Sequence, residues 1–382
     1  MSLDVHVGRE LADPAWDSFV EATRGGTYQQ TSMWAEVKSL TGWRPIRITL
    51  SRDGAVIAGC QVLVRRVGRL GAVAYAPYGP LTTDRDTAAL SAILDVLQGL
   101  VRQERLLYFK LQPPRGSAGM SDALTERRFV LSGLDTAPRF TVRIDLHRTP
   151  DAILGAMRAR TRTYIRQANR RGVVVRDGTH DELPVFYELV EATGRRQGFA
   201  PYPHSYYEQI MLSFQGRAHL LLADYQGDIL SSALLLGFGD SVNFKMGGWL
   251  GSHRDVRPNE LLHWASMQWA RDRGYRYYDL EDIDPVVAGA ILAGRDSKDL
   301  AITGTTHFKL GFGGEITEFP GTYDYVQQRL LRVGLQWAAP RLDRLMPVAH
   351  RIAGRRKPGS GIQDSDGRAS STSKSYATSA GA

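Results

Sequence analysis

Cysteine is nearly missing from this sequence: Cys60 is the single one in 382 residues. One thiol excludes a disulfide framework and a multi-cysteine metal site. Its neighbours Val56, Ile57, Ala58, Val62, Leu63 and Val64 read as the inside of a strand, so Cys60 is expected in the core rather than as a nucleophile. No apolar run approaches the roughly 20 residues that a membrane-spanning helix needs, and the N-terminus lacks a signal-peptide pattern. A soluble, cytoplasmic protein is expected. The nine histidines are scattered, with no His-x-x-x-His pair, and no Gly-x-Ser-x-Gly elbow occurs. No metal is expected, and the chemistry is expected to rest on positioning and charge rather than on a covalent nucleophile.

What is present is the balance of a folded chain: 43% hydrophobic and 23% charged residues, enough for two domains. The formal charge is +8, and most of it is local. From Arg158 to Arg176 there are seven arginines (158, 160, 162, 166, 170, 171 and 176) and no acid until Asp177. The residues after 356 are rich in Ser, Gly and Ala and predict a disordered tail over 357–382. The arginine stretch also carries a helical apolar stripe at Leu154, Met157, Thr161, Tyr164, Ile165 and Ala168. Arg158, Arg162, Arg166 and Arg170 follow one another four apart along a neighbouring face, where like charges repel by a few tenths of a kcal/mol per pair. Both a solvated face and a phosphate-binding face fit this pattern.

Two stretches share one order of elements. The turn Asp53-Gly54 leads into an apolar strand over 55–66, a second strand over 72–78, Gly79-Pro80, a helix bearing Leu90, Ile93, Leu94, Leu97, Leu100 and Val101, and a strand over 106–111. Gln226-Gly227-Asp228 leads into strands over 229–238 and 242–246, Gly247-Gly248, a helix capped by Asn259 and ended by Gly274, and a strand over 275–280. Phe109 follows Gly79 by 30 positions and Tyr278 follows Gly248 by 30. The reading is an α/β chain of two tandem domains with mixed sheets, over 1–145 and 146–320, each like an N-acetyltransferase, with 321–356 packing back on one of them.

In such folds CoA lies on a glycine-rich loop at a helix N-terminus. Here the loops over 82–87 and 252–259 contain no glycine, the first holds two carboxylates, and Pro258 removes a donor in the second. No CoA and no other cofactor is expected. Gly311-Phe312-Gly313-Gly314 has the wrong spacing for a dinucleotide fingerprint. Asp279, Glu281, Asp282 and Asp284 read as solvated acids at a sheet edge, with a divalent ion as the other possibility.

Several patches, in order, carry a resemblance: Tyr28-Gln29-Gln30 through Trp34-Ala35-Glu36-Val37-Lys38 to Gly42-Trp43; Tyr75-Ala76-Pro77-Tyr78-Gly79-Pro80; Arg162-Thr163-Tyr164-Ile165-Arg166-Gln167-Ala168; Arg196-Gln197-Gly198-Phe199; Asp279-Leu280; and Thr306-His307-Phe308-Lys309-Leu310-Gly311-Phe312. Over residues 5–325 the chain resembles the FemABX family, transferases that move amino acids from aminoacyl-tRNA to the peptide of peptidoglycan precursors. The family has tandem acetyltransferase-like domains; the helical arm of some members is not evident, which suggests a compact type.

The resemblance implies an aminoacyltransferase of cell-wall synthesis, with aminoacyl-tRNA as co-substrate. It implies that Lys38 and Trp43 line the acceptor site with Tyr206, while Tyr202 stands where the family has a phosphate-binding arginine. It implies Phe308 and Lys309 at the transfer site, Lys309 steadying the oxyanion. Gln112 stands where some members place an acid. Arg158, Arg162, Arg166 and Arg170 then have tRNA phosphates as candidate partners. The acceptor is a nucleotide-linked or lipid-linked precursor. The basic segment over 329–357 fits either ordinary packing or peripheral contact with the inner face of a membrane. A monomer is expected. The alternatives are an acyl-CoA-dependent N-acyltransferase, aminoacyl-tRNA-dependent small-molecule peptide synthesis, and a non-catalytic nucleic-acid-binding protein.

Overall fold

The computed structural model describes residues 3–326 apart from 70, 84, 85, 118, 134 and 136. The expected basic segment over 329–357 and the tail over 357–382 lie outside the described residues.

Long runs of Val, Ile, Leu and Ala build two mixed sheets. The first runs Asp4–Gly8, Arg44–Arg52, Ala55–Val67, Gly71–Ala76, Leu106–Leu111, Tyr323–Tyr325, Val130–Leu131, with Leu81–Thr82 paired to Ala55–Val67. The second runs Glu315–Glu318, Phe140–Asp145, Tyr277–Asp282, Ser241–Trp249, Asp228–Phe238, Ala218–Tyr225, Val174–Asp177. Each holds the same unit: an antiparallel run whose last strand feeds a helix (Thr87–Gln103 or Pro258–Asp272) and then a strand parallel to it. The predicted duplication is therefore present, in tandem acetyltransferase-like form. Cys60 is fully buried in the first core, and burial pushes its thiol pKa far up, away from any nucleophilic role.

Three expectations need correction. Phe140–Asp145, assigned to the first domain, pairs with Tyr277–Asp282 and Glu315–Glu318 in the second sheet. The boundary therefore falls before residue 140, and Tyr323–Tyr325 returns to the first sheet beside Leu106–Leu111. The apolar stripe from Leu154 to Ala168 is two helices, Pro150–Ala156 and Ala159–Arg170, because Met157 and Arg158 are extended and the Arg158 amide bonds to the Gly311 carbonyl at 2.9 Å. A tertiary hydrogen bond here overrides an uninterrupted periodicity. The cap of Pro258–Asp272 is not Asn259 but Arg257, held left-handed at φ 57° with Pro258 as the first helical residue.

The domains share an aromatic core. Trp16, Tyr28, Trp34 and Trp43 from the first pack with Phe186, Tyr206, Tyr207 and Phe214 from helices Leu183–Gln197 and His204–Ser213 of the second. Each such side chain contributes about 1.5–3 kcal/mol on burial, so the cleft between the domains has fixed walls. Among the described residues no helix is long and apolar enough to cross a membrane.

Candidate active site in the interdomain cleft

The second sheet is open where the first is closed. In the first domain, Gly71–Ala76 pairs with Leu106–Leu111 up to Ala76 opposite Leu111, and the amide of Gln112 still bonds to the Ala76 carbonyl at 2.9 Å. In the second, Ser241–Trp249 pairs with Tyr277–Asp282 only from Ser241 to Asn243. Beyond that each strand has a bulge. Lys245 is the extra residue between Phe244 and Met246 opposite Asp228–Phe238, and the register of Tyr277–Asp282 against Phe140–Asp145 shifts between Asp279 and Asp282. Glu281 lies in that second bulge at φ 54°, a left-handed conformation that a non-glycine residue holds only when its surroundings enforce it. Bulges re-aim side chains, and these two turn Lys245 and Glu281 toward the cleft.

There they meet Tyr28 of the first domain. The Tyr28 hydroxyl donates to Glu281 Oε1 at 2.8 Å, the Lys245 ammonium donates to the Tyr28 hydroxyl at 2.9 Å, and Lys245 lies 3.5 Å from Glu281 Oε2. Burial, and then the Glu281 charge, pushes the Tyr28 pKa well up, so the phenol stays a donor. Its neighbour Gln30 fixes the motif from behind: its side-chain amide donates to the carbonyls of Pro77 (2.7 Å) and Gln61 (3.2 Å) and accepts from the Gln61 amide (2.8 Å).

Lys309 reaches the same cleft from the short helix Gly304–Leu310. Its ammonium donates to the main-chain carbonyl of Asp282 at 2.7 Å. Burial lowers its pKa, while Asp282, Glu281 and Asp279 oppose that and favour the cation. Phe308 packs against Phe312 (5.1 Å) and His263 (5.3 Å). Burial holds His263 neutral, its pKa pushed down to about 3, and Nδ1 lies 3.0 Å from the Tyr278 hydroxyl. Gly313 (φ 73°) and Gly314 (φ 93°) let the chain leave this helix, since a Cβ on either would come within 2.6–2.7 Å of the carbonyls of Ala156 and Arg143. Those glycines are structural.

The acids are not solvated, which corrects the sequence expectation. Asp279 is buried beside Arg143 (3.6 Å) and accepts the Glu281 amide at 2.7 Å. Burial pushes its pKa up to about 6 against the pull of Arg143. Asp284 caps helix Pro285–Leu292, accepting from the amides of Val286 and Val287. The bulge is the physical reason: it draws the strand end under the first domain. Among the described residues no group of His, Cys, Asp and Glu is arranged to hold a metal ion.

Across the cleft, Lys38, Trp34, Tyr202 and Tyr206 form a second cluster. The Lys38 ammonium lies 5.4 Å from the Trp34 and Tyr202 rings and 5.7 Å from Tyr206, while Tyr202 and Tyr206 stack at 3.9 Å. Lys38 is 2% exposed, and burial, helped by Lys245 and Arg65, pushes its pKa down to about 7. Lys245 also lies over Trp34 at 5.3 Å, so the two clusters are contiguous. Trp43 stands behind this wall, 1% exposed and edge-on to Tyr75 at 4.7 Å. Gln112 is likewise buried, taking the Ala137 amide at 3.2 Å and giving to the Pro320 carbonyl at 3.4 Å.

The arginines divide. Arg176 is paired with Glu182 and Asp224, and Arg171 with Asp255, so part of the surplus is neutralised. Arg162 bonds to the Gly155 (3.3 Å) and Met157 carbonyls that end helix Pro150–Ala156, and Arg158 reaches the His307 carbonyl at 3.4 Å. Arg166 and Arg170 are exposed. Arg158 also lines a cavity of about 470 Å³ with Ile291, Leu292, Ser297, Leu310 and Glu315, opening beside the residue after Lys309. At the helix start where CoA would sit in the first domain, Asp86 already occupies the amide of Ala89 (2.9 Å) and pairs with Arg52 (2.9 Å). An added polyphosphate would meet that carboxylate.

Of the residues that the resemblance singles out, Lys309, Phe308, Lys38, Tyr202 and Tyr206 lie along one cleft, whereas Trp43 is packed behind its wall. Sequence reasoning named Tyr28, Glu281 and Asp282 without the contact that joins Tyr28 to Glu281, and it did not single out Lys245, whose only signal was a charge within strand Ser241–Trp249.

The doubled fold and the cleft at its opened sheet define a tandem acetyltransferase-like protein. The model of the FemAB family matches residues 11–123, 130–228 and 223–338, and the chain belongs to that family. It is 25% identical to the lipid II:glycine glycyltransferase of Staphylococcus saprophyticus, over 87% of this chain and 96% of that one, and 25% identical to that of Staphylococcus aureus, over 86% and 94%. Among solved structures it is similar to FemX (TM-score 0.74, 23% identity, 88% of this chain and 99% of that one). It is also similar to a tandem acetyltransferase-like protein of clavulanic acid biosynthesis (TM-score 0.51, 13% identity, 85% and 98%).

Proposed function

We propose that the protein is an aminoacyltransferase of peptidoglycan interpeptide-bridge formation, moving an amino acid from aminoacyl-tRNA to an amine on the peptide of a precursor. Family membership and the names of the relatives support the reaction class. The observation that carries it to particular residues is Lys309, an ammonium held by the Asp282 carbonyl at the opened end of the second sheet, beside Phe308.

The ester of an aminoacyl-tRNA is already activated. A neutral amine attacks its carbonyl carbon, and negative charge grows on the carbonyl oxygen. In this reading Lys309 donates to that oxygen, and one such donor in a site shielded from water is worth about 3–4 kcal/mol. Holding amine and ester together supplies a further share by converting a bimolecular encounter into a local one. Phe308 gives the ester a flat, apolar wall.

On the acceptor side, Lys38 is a buried amine with three aromatic rings around it and, among the described residues, no carboxylate paired with it. A phosphate of the precursor restores the charge balance that burial removes. Arg158 lines the 470 Å³ cavity beside Leu310, and Arg162, Arg166 and Arg170 follow it along helix Ala159–Arg170; this row suits the phosphates of the tRNA acceptor end. No cofactor enters this reaction. The test is to incubate the purified protein with a mixed pool of charged tRNAs and nucleotide-linked or lipid-linked precursors. A precursor mass gain of one amino-acid residue is expected. No gain on any precursor, with acetyl transfer from acetyl-CoA instead, overturns the reading.

A further inference from the structure

Three of the four acids at the end of strand Tyr277–Asp282 are committed. Asp279 holds Arg143 and the Glu281 amide, Glu281 holds Tyr28 and Lys245, and Asp284 caps a helix. Asp282 differs. It is half-buried, its main-chain carbonyl receives the Lys309 ammonium, and no donor among the described residues bonds to its carboxylate. The bulge that places Glu281 at φ 54° also keeps Asp282 within the field of Lys309, where a regular strand would turn consecutive side chains to opposite faces.

We propose that Asp282 is a catalytic residue, the base that takes a proton from the acceptor's ammonium group and delivers a neutral amine to the ester beside Lys309. This rests on the aminoacyl-transfer reading. The acceptor ammonium gives one proton to the Asp282 carboxylate. The freed lone pair forms the C–N bond, and the carbonyl electron pair moves to the oxygen facing Lys309. As the tetrahedral species collapses, the ester C–O bond breaks and the departing ribose oxygen takes a second proton from the nitrogen. The products are an amide, tRNA with its hydroxyl restored, and one proton on Asp282, which passes to water.

Electrostatics support the role. Burial pushes the Asp282 carboxyl up to about 6, Lys309 from helix Gly304–Leu310 pulls it down, and Glu281 and Asp284 beside it, with Asp135 from the first domain, push it up. Burial first, and then the charges of Glu281, Asp279 and Asp282, push the pKa of Tyr78 well up, and its hydroxyl donates to the Pro138 carbonyl at 2.7 Å. A base of this pKa is ionised at neutral pH and retains proton affinity. A free alkyl ammonium, near pKa 10.4, leaves only a few parts in ten thousand of neutral amine at pH 7, so a base at this point has work to do.

The experiment is a single-turnover pH–rate profile from pH 5 to 8.5, at precursor concentrations that saturate the enzyme at every pH, for the wild type, Asp282→Asn and Asp282→Ser. The wild-type rate should fall tenfold per unit below about pH 6 and be level above it. The variants should be about 100-fold slower at pH 7. Their rate should climb tenfold per unit through pH 8.5, following the free amine. A precursor analogue bearing an aminooxy group, uncharged at pH 7, should return both variants to within a few-fold of wild type. Wild-type rates in the variants, retention of the limb near pH 6, or equal losses on both acceptors would overturn the assignment and leave aminoacyl transfer standing. A wild type that transfers nothing from any charged tRNA would overturn both.

Discussion

Both domains build a strand pair on either side of a helix, and only one pair opens. In the first, Gln112 follows Gly79 by 33 positions; in the second, Glu281 follows Gly248 by 33. Gln112 continues the ladder, its amide on the Ala76 carbonyl and its side chain clipping Ala137 and Pro320. Glu281 leaves the ladder in a left-handed bulge and bonds across the interface to Tyr28. The same spacing therefore yields a closed joint in one copy and a charged cleft in the other. A duplicated fold can keep one copy for support while the other carries chemistry, and the difference lies in two bulges rather than in topology.

Exchanging support for chemistry gives the sharpest way to break this comparison. Glu281→Ala strands the Tyr28 hydroxyl and the Lys245 ammonium, at a cost of about 1–3 kcal/mol in stability, with transfer falling at least tenfold. Gln112→Ala loses two hydrogen bonds at about 1 kcal/mol each and should leave kcat within twofold. Chemical denaturation and transfer kinetics on both variants check this; equal effects on kcat would erase the distinction.

Lys38→Met comes next. Removing a buried cation that has no anion among the described residues should raise stability by roughly 2 kcal/mol while weakening precursor binding at least tenfold. The folded pKa of about 7 lies below the unfolded one near 10.4. The unfolded chain therefore binds the extra proton across that window, and this residue's contribution to stability rises as pH increases from about 7 to 10. Precursor affinity should weaken over the same rise as Lys38 loses its charge, which equilibrium binding at pH 6 and 8.5 measures.

The smallest effect concerns the arginines. Arg162→Glu with Arg166→Glu should raise the KM for aminoacyl-tRNA several-fold and flatten its salt dependence. Arg171→Ala, already paired with Asp255, should change the slope little. Equal slopes in all three proteins would reduce the stretch to a solvated face.

Much of this architecture was legible in the residues. Apolar runs marked the strands over 55–66, 106–111 and 229–238 to within a residue or so of their ends, and the 30-position spacing marked the duplication. The bulges at Lys245 and Glu281 were not legible, because a register shift depends on partner strands far away in sequence. For the same reason the acids of Tyr277–Asp282 read as solvated: a strand end looks exposed until the other domain covers it. The helix break at Met157–Arg158 was hidden by an apolar period that continues through it, since the deciding bond goes to Gly311. Phe140–Asp145 was placed in the wrong domain because its pairing partners lie more than a hundred residues further along the chain. The candidate site residues Lys309 and Lys38 came from resemblance; the burial and the depressed pKa of Lys38 came only with the cleft.

The most direct measurement is the single-turnover rate of aminoacyl transfer in Lys309→Met, with tRNA and precursor affinities measured beside it. If the opened end of the second sheet is the transfer site, the rate falls about 100- to 1,000-fold while both affinities stay within a few-fold of wild type. A rate equal to wild type would contradict the account and move the chemistry out of this cleft.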